Sequence, residues 1–247
     1  MKKRILEAIN GLLKTMDAKM VRRSTEMEKA SLTMESMIQR LAERAVSVGT
    51  VIDIGASDGN WSVSCMKYFP DARFLAIEPL QERMDSLAEN KIRYVNFDYA
   101  VCLAGEGDGE EIALQVTDDL DGSTVDGRGS GNSRFCISRT IDSLVAEKSL
   151  PGPYLLKFDT HGYELPILSG SSKVLRDASA IIMETYNFQL TPNSLRFHEM
   201  CSHLENIGFR PADVADPMLR LHDHAFWQMD FLFLRDDSDL FLHQSYQ

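Results

Sequence analysis

The sequence predicts an α/β protein built on a mostly parallel, doubly wound sheet with an antiparallel edge and an N-terminal helical extension. Three observations carry this. Short apolar runs at Val51-Ile52-Asp53-Ile54, Arg73-Phe74-Leu75-Ala76-Ile77, Tyr154-Leu155-Leu156-Lys157-Phe158 and Ala180-Ile181-Ile182-Met183 alternate with stretches of helical spacing. That is the pattern of buried parallel strands joined by crossover helices. The first run passes into a turn holding Gly55 and Gly59 and then into a helix, and a late run from Trp227 to Leu234 closes the sheet.

Composition bounds what such a domain can do. The 247 residues are 44% hydrophobic, enough for one large core and an appendage. Lys+Arg 26 against Asp+Glu 37 gives a net charge of -11, which disfavours nucleic acid and anionic membrane as partners. Lys2-Lys3-Arg4 and Arg22-Arg23 decorate a solvated helix face. No apolar run is long enough to span a bilayer, and Glu7 and Asn10 interrupt any signal-peptide core. Cys65, Cys102, Cys136 and Cys201 are scattered, as expected of reduced thiols in a cytoplasmic protein.

The elements follow in order. Residues 1–47 read as the helical extension, with Ile5, Ile9, Leu12, Leu13, Met16 and Met20, then Met34, Met37, Ile38, Leu41 and Ala45 at helical spacing, and a capping box at Thr25. This stripe is expected to cap the sheet or to meet a second subunit in a homodimer. Residues 48–247 read as the α/β domain. A helix is expected from Trp61 to Tyr68, another from Pro79 to Asn90, and a third strand from Ile92 to Phe97. Residues 105–140 read as a hairpin insertion whose Asp118-to-Gly131 tip is a mobile lid. Its acids Asp118, Asp119 and Asp121 lack calcium-loop spacing. Beyond the fourth strand, Glu184 ends the fifth, and Thr191 and Pro192 start a helix that closes at Gly208.

The glycine turn points to a ligand. A dinucleotide site needs G-x-G-x-x-G, whereas this chain has Gly55-x-x-x-Gly59 with Asp53 before it and Asp58 inside it. Two acids repel a pyrophosphate and suit a ligand cationic at sulfur and at its amino group, which describes S-adenosylmethionine. The predicted cofactor residues are Asp53, Gly55, Ala56, Ser57, Asp58, Gly59, Asn60 and Trp61. Glu78 lies about 20 residues beyond the glycines, where such folds keep an acid for the ribose hydroxyls, and Pro79 follows it. Asp98, Tyr99 and Ala100 are candidates for the adenine wall, and Asp159 for the methionine end. Asp53, Glu78, Asp159 and Glu184 should share one edge of the sheet.

The chain resembles the FkbM family of S-adenosylmethionine-dependent methyltransferases. The matching residues are Val51-Ile52-Asp53-Ile54-Gly55-Ala56 through Gly59, Ile77-Glu78-Pro79, and Arg139-Thr140-Ile141-Asp142-Ser143-Leu144. Further on come Leu156-Lys157-Phe158-Asp159 with Gly162 and Glu164, Leu168-Ser169-Gly170, Glu184, and Gln228-Met229-Asp230-Phe231-Leu232-Phe233. The resemblance implies a class I Rossmann-like methyltransferase acting on a hydroxyl of a sugar or secondary metabolite, with S-adenosylhomocysteine as product. The chain departs from the family at Ser57, where Asn is common, and at His161, where an acid or Gln is usual. Methyl transfer to an alcohol needs alignment and a proton sink. His161 is the best-placed neutral base, and Asp159 is the second catalytic candidate. His222-Asp223-His224 could ligate a metal with Asp159 or Glu184, but a solvated loop pair is the ordinary reading, and no metal is assigned. The expectation is a small-molecule O-methyltransferase. Its rivals are methyl transfer to nitrogen or carboxylate, and a cofactor-binding regulatory protein without turnover.

Overall fold

The structure is a computed structural model that describes residues 31–125 and 132–245. The stripe from Ile5 to Met20, the Thr25 capping box and the far tip of the lid lie outside the described residues. Helix α1 (Met34–Glu43) starts at Thr33, whose hydroxyl accepts from the Ser36 N–H, and buries Met37, Ile38 and Leu41. It is followed by β1 (Thr50–Ile54), α2 (Asn60–Cys65), β2 (Arg73–Ile77), α3 (Met84–Arg93), β3 (Phe97–Ala100) and the short β4 (Leu103–Ala104). Then come β5 (Glu111–Gln115), β6 (Ser133–Arg139), α4 (Ile141–Glu147), β7 (Tyr154–Phe158), α5 (Glu164–Ser169) and α6 (Ser172–Arg176). The chain ends with β8 (Ala178–Tyr186), α7 (Phe197–Asn206), β9 (Phe209–Leu219) and β10 (Phe226–Arg235).

The main sheet has seven strands in the order β3-β2-β1-β7-β8-β10-β9. The five from β3 to β8 are parallel, and β10 runs antiparallel to both β8 and β9. Every residue of β1 and of β7 is buried, because helices cover both faces. Ile52, Ile54, Leu156 and Phe158 pack under α4, α5, α6 and α7, while Val51, Phe74, Leu155 and Ile182 pack under α1, α2 and α3. The strand order steps outward in both directions from β1 and β7. The crevice beyond their carboxyl ends is therefore the topological switch point, where open α/β sheets bind ligands.

Several elements differ from the sequence reading. The third strand is Phe97–Ala100, not Ile92 to Phe97; Ile92 belongs to α3 and stands 87% exposed. Asp98, Tyr99 and Ala100 are thus inside the strand rather than beyond it. The helix expected at Pro79 becomes regular only at Met84, and the one expected at Pro192 only at Phe197, with Arg196 as its cap. Strand β9 was not foreseen: Pro211, Asp213 and Asp216 break its apolar alternation, and only Phe209 and Ala215 are buried. β5 and β6 form an antiparallel hairpin, and β4 joins β6 to make a three-stranded sheet.

Candidate active site

A cavity of about 230 Å³ opens at the carboxyl ends of β1, β2 and β7. Gly55, Ser57, Glu78, Asp159, Thr160 and His161 all line it, together with apolar side chains including Leu80, Leu103, Leu114 and Val125. The Gly55 N–H and the Ala56 N–H both donate to the Ile77 carbonyl, which ties the end of β1 to the end of β2. Glu78 Oε2 then accepts from the Ser57 N–H at 2.9 Å, and Oε1 from the Leu80 N–H at 2.9 Å. Burial raises the Glu78 carboxyl to about 7 in spite of these bonds.

Of the sequence-predicted residues, Gly55, Ser57, Glu78, Pro79, Asp159 and His161 line this cavity. The others stand off it, each for a local reason. Asp53 is fully buried on the far side of β1, where Oδ2 accepts from the Ser62 hydroxyl at 2.8 Å. Ala56 packs into the core under α2. Asp58 accepts from the Asn60 N–H and side-chain amide, and Gly59 (φ 81) is wedged against Asn90, Leu87 and Phe97. Trp61 lies beside the Lys157 ammonium, 5.6 Å from ring centroid to Nζ. Asp98 turns outward to Lys91 (2.6 Å) and Lys148 (2.7 Å), and the Tyr99 ring lies under Lys91. Asp98, Tyr99 and Ala100 do not line the cavity, whereas Cys102, Leu103 and Ala104, just past the strand, do.

The lid contributes residues that sequence reasoning missed. Asp121 accepts from the Ser57 hydroxyl at 3.0 Å and pairs with Arg83 at 2.5 Å, and both Arg83 and Asp121 line the cavity. The Thr124 hydroxyl donates to the His161 carbonyl at 2.8 Å. The described part of the insertion is therefore folded over the crevice. Its acid cluster was the available signal, and the missing information was which acid would face inward.

Beyond the cavity lies a chain of charged groups. Lys157 Nζ is 2.5 Å from Asp159 Oδ2 and 4.0 Å from Asp53 Oδ1. His161 Nδ1 is 2.8 Å from the Tyr186 hydroxyl and 3.2 Å from Glu184 Oε2, and Nε2 is 2.6 Å from the Asp121 carbonyl. Tyr186 and Gln228 both donate to Glu184. The Asp121 carbonyl can only accept, and the Tyr186 proton is already given to Glu184, so both ring nitrogens of His161 carry hydrogen. Burial favours the neutral ring, but Glu184 and Asp159 outweigh it and raise His161 to about 9. The expected neutral base is thus an imidazolium in this arrangement. Burial also acts against ionised Asp159, yet the Lys157 ammonium holds that carboxyl below the usual range. Asp159, His161 and Glu184 offer one ligand atom each within 4.8 Å of one another, a set that could also hold a metal ion. His222 and His224 are exposed in the turn before β10 and take no part.

Residues 53–211, more than half of the chain, match the family model described as the methyltransferase FkbM domain. The hexuronic acid methyltransferase AglP of Haloferax volcanii is 24% identical over 154 residues, covering 62% of each chain. This chain thus spans about three fifths of the length of the curated relative it matches. Among solved structures, methyltransferase FkbM from Methylobacillus flagellatus aligns at 18% identity over 74% of this chain and 43% of its own, TM-score 0.47. A SAM-dependent methyltransferase from Aquifex aeolicus aligns at 16% identity over 91% and 98%, TM-score 0.42.

Proposed function

The chain belongs to the FkbM family of methyltransferases, whose methyl donor is S-adenosylmethionine, and from that premise we propose that it methylates a hydroxyl of a sugar-like small molecule. A hexuronic acid, the class named for the relative AglP, is the first acceptor to try. The observation that carries the reading is that one cavity is lined by Glu78 and the glycine turn together with Asp159 and His161. The residues present fit the donor: a carboxylate whose oxygens keep lone pairs for two ribose hydroxyls, and an apolar wall for the base.

When bound, S-adenosylmethionine supplies the activated methyl carbon, the C–S electron pair returning to sulfur as the acceptor oxygen's lone pair makes the new C–O bond. Glu78 and the Gly55–Ser57 turn hold the nucleoside end. The lid, latched through Asp121, keeps water from the crevice. Asp159 accepts a hydrogen bond from the acceptor hydroxyl, which orients it, and takes its proton as the C–O bond forms. The hydroxyl becomes strongly acidic during that step, so an ionised carboxylate is base enough. His161 keeps its proton and stays beside Asp159 as a charged partner to the acceptor.

Two outcomes check this. S-adenosylhomocysteine should raise the melting temperature, as a native-state ligand does. Its affinity should weaken about tenfold per pH unit below the Glu78 value of about 7 and level off above it, because the ionised form takes the ribose hydrogen bonds better. Glu78→Gln should bind more weakly and without that pH dependence; a pH-independent wild type would count against the ribose assignment. With labelled donor and a hexuronic acid glycoside, the transferred methyl should resist mild alkali, as an ether does. An alkali-labile product would mark a carboxylate ester and make the rival reading correct.

A further inference from the structure

We infer that Lys157 is a positioning residue for methyl transfer, one that fixes Asp159 toward the acceptor and is itself fixed by a buried carboxylate, Asp53. This rests on the reading that Asp159 meets the acceptor. Lys157 lies on β7, a strand buried throughout, and is only 5% exposed. A lysine in such a place is costly unless its charge is matched. Its ammonium touches Asp159 at 2.5 Å, which leaves the other carboxylate oxygen, Oδ1, on the side of His161 (3.9 Å).

What surrounds Lys157 is more than one ion pair needs. Asp53, on β1, is opposite Lys157 in the parallel register and has an oxygen, Oδ1, that is buried without a hydrogen-bond partner. That orphan oxygen lies 4.0 Å from the ammonium. Asp230, on β10, also acts on Lys157 through its charge, while burial raises its own carboxyl to about 7. The Trp61 ring of α2 covers the ammonium from another side. His161 after β7 and Glu184 of β8 complete the groups facing Asp159. A carboxylate buried without a full set of partners has no packing rationale on β1. It has one as the counter-charge that stops Lys157 from turning away from Asp159.

The test follows the carboxyl carbon of Asp159 by NMR in protein labelled with carbon-13 at aspartate, the signal assigned by its loss in Asp159→Asn. In the wild type it should titrate below the ordinary carboxylate range. In Lys157→Met it should move above that range, since burial then acts unopposed. Binding of S-adenosylhomocysteine should change less than about threefold, while methyl transfer to the hexuronic acid glycoside falls about 100-fold, the order expected when a reacting group is misplaced. Lys157→Arg, which keeps the charge, should keep the titration low. If Lys157→Met folds poorly, the double variant with Asp53→Asn removes the cation together with its spare partner and should show the same upward shift. An unmoved Asp159 signal in both variants overturns the inference, and so does a lost turnover with an unmoved signal, which would mark a structural role alone. Active Lys157→Met beside inactive Asp159→Asn would sink this inference only. An active Asp159→Asn would sink the reading beneath it.

Discussion

Asp159→Asn should lower kcat by roughly 10²- to 10⁴-fold, the span usual for loss of a general base, while S-adenosylhomocysteine still raises the melting temperature. The substitution keeps the shape of the side chain, and Lys157 keeps Asp53 as a neighbour, so the fold should survive. The pH profile separates the two candidate bases. Asp159 has a depressed pKa, so its active, ionised form is lost only as pH falls through a value under 3.8. With Asp159 as proton acceptor, kcat at saturating donor is flat from pH 6 to 8. A neutral His161 would act against a pKa of about 9, and kcat would then climb about tenfold per unit across the same range. A climbing profile that flattens in His161→Gln would hand the role back to the histidine.

The parallel half of the sheet was legible because its signals are local. Val51 to Ile54 and Tyr154 to Phe158 are buried on both faces, so they read as short apolar runs interrupted only by Asp53 and Lys157, and the topology carries the residues that follow them, Gly55 and Asp159, to one edge. Glu78 was legible for the same reason, being fixed by its distance from the glycine turn. What failed depended on direction rather than position. Asp53 and Gly55 are two residues apart, yet Asp53 points through β1 into the Lys157 cluster while Gly55 borders the cavity. Asp98 sits inside β3 opposite Leu75, short of the level of Glu78, and finds Lys91 and Lys148. The lid could be seen as an insertion, but that Asp121 and Thr124 would reach His161 depends on long-range contacts with no periodic signature. The protonation of His161 was hidden too, since its cause, Glu184, comes from a different strand.

Among the described glycines, Gly55→Ala should be the most damaging single-methyl change. Gly55 adopts φ 77, in the left-handed region that costs an L-residue about 1 kcal/mol or more. A Cβ there would sit 2.0 Å from the Asp159 carbonyl oxygen, a backbone atom with no rotamer to escape through. That carbonyl cannot yield easily, because the Asp159 N–H donates to the Ile54 carbonyl at 3.0 Å and so clamps β7 against β1 at this level. The added methyl must therefore drive the two central strands apart at the point where the glycine turn and Asp159 leave them. Overpacking of this kind costs about 1–3 kcal/mol beyond the dihedral strain. The melting temperature should fall by several degrees, and binding of S-adenosylhomocysteine and turnover should be lost together, unlike in Asp159→Asn. Gly109 gives the control: it too has positive φ (81), but a Cβ there meets nothing within 4 Å. Gly109→Ala should thus lose only the dihedral cost and keep binding. Equal losses in both variants would show that φ alone matters, and that the contact between Gly55 and Asp159 does not hold the two halves of the site in register.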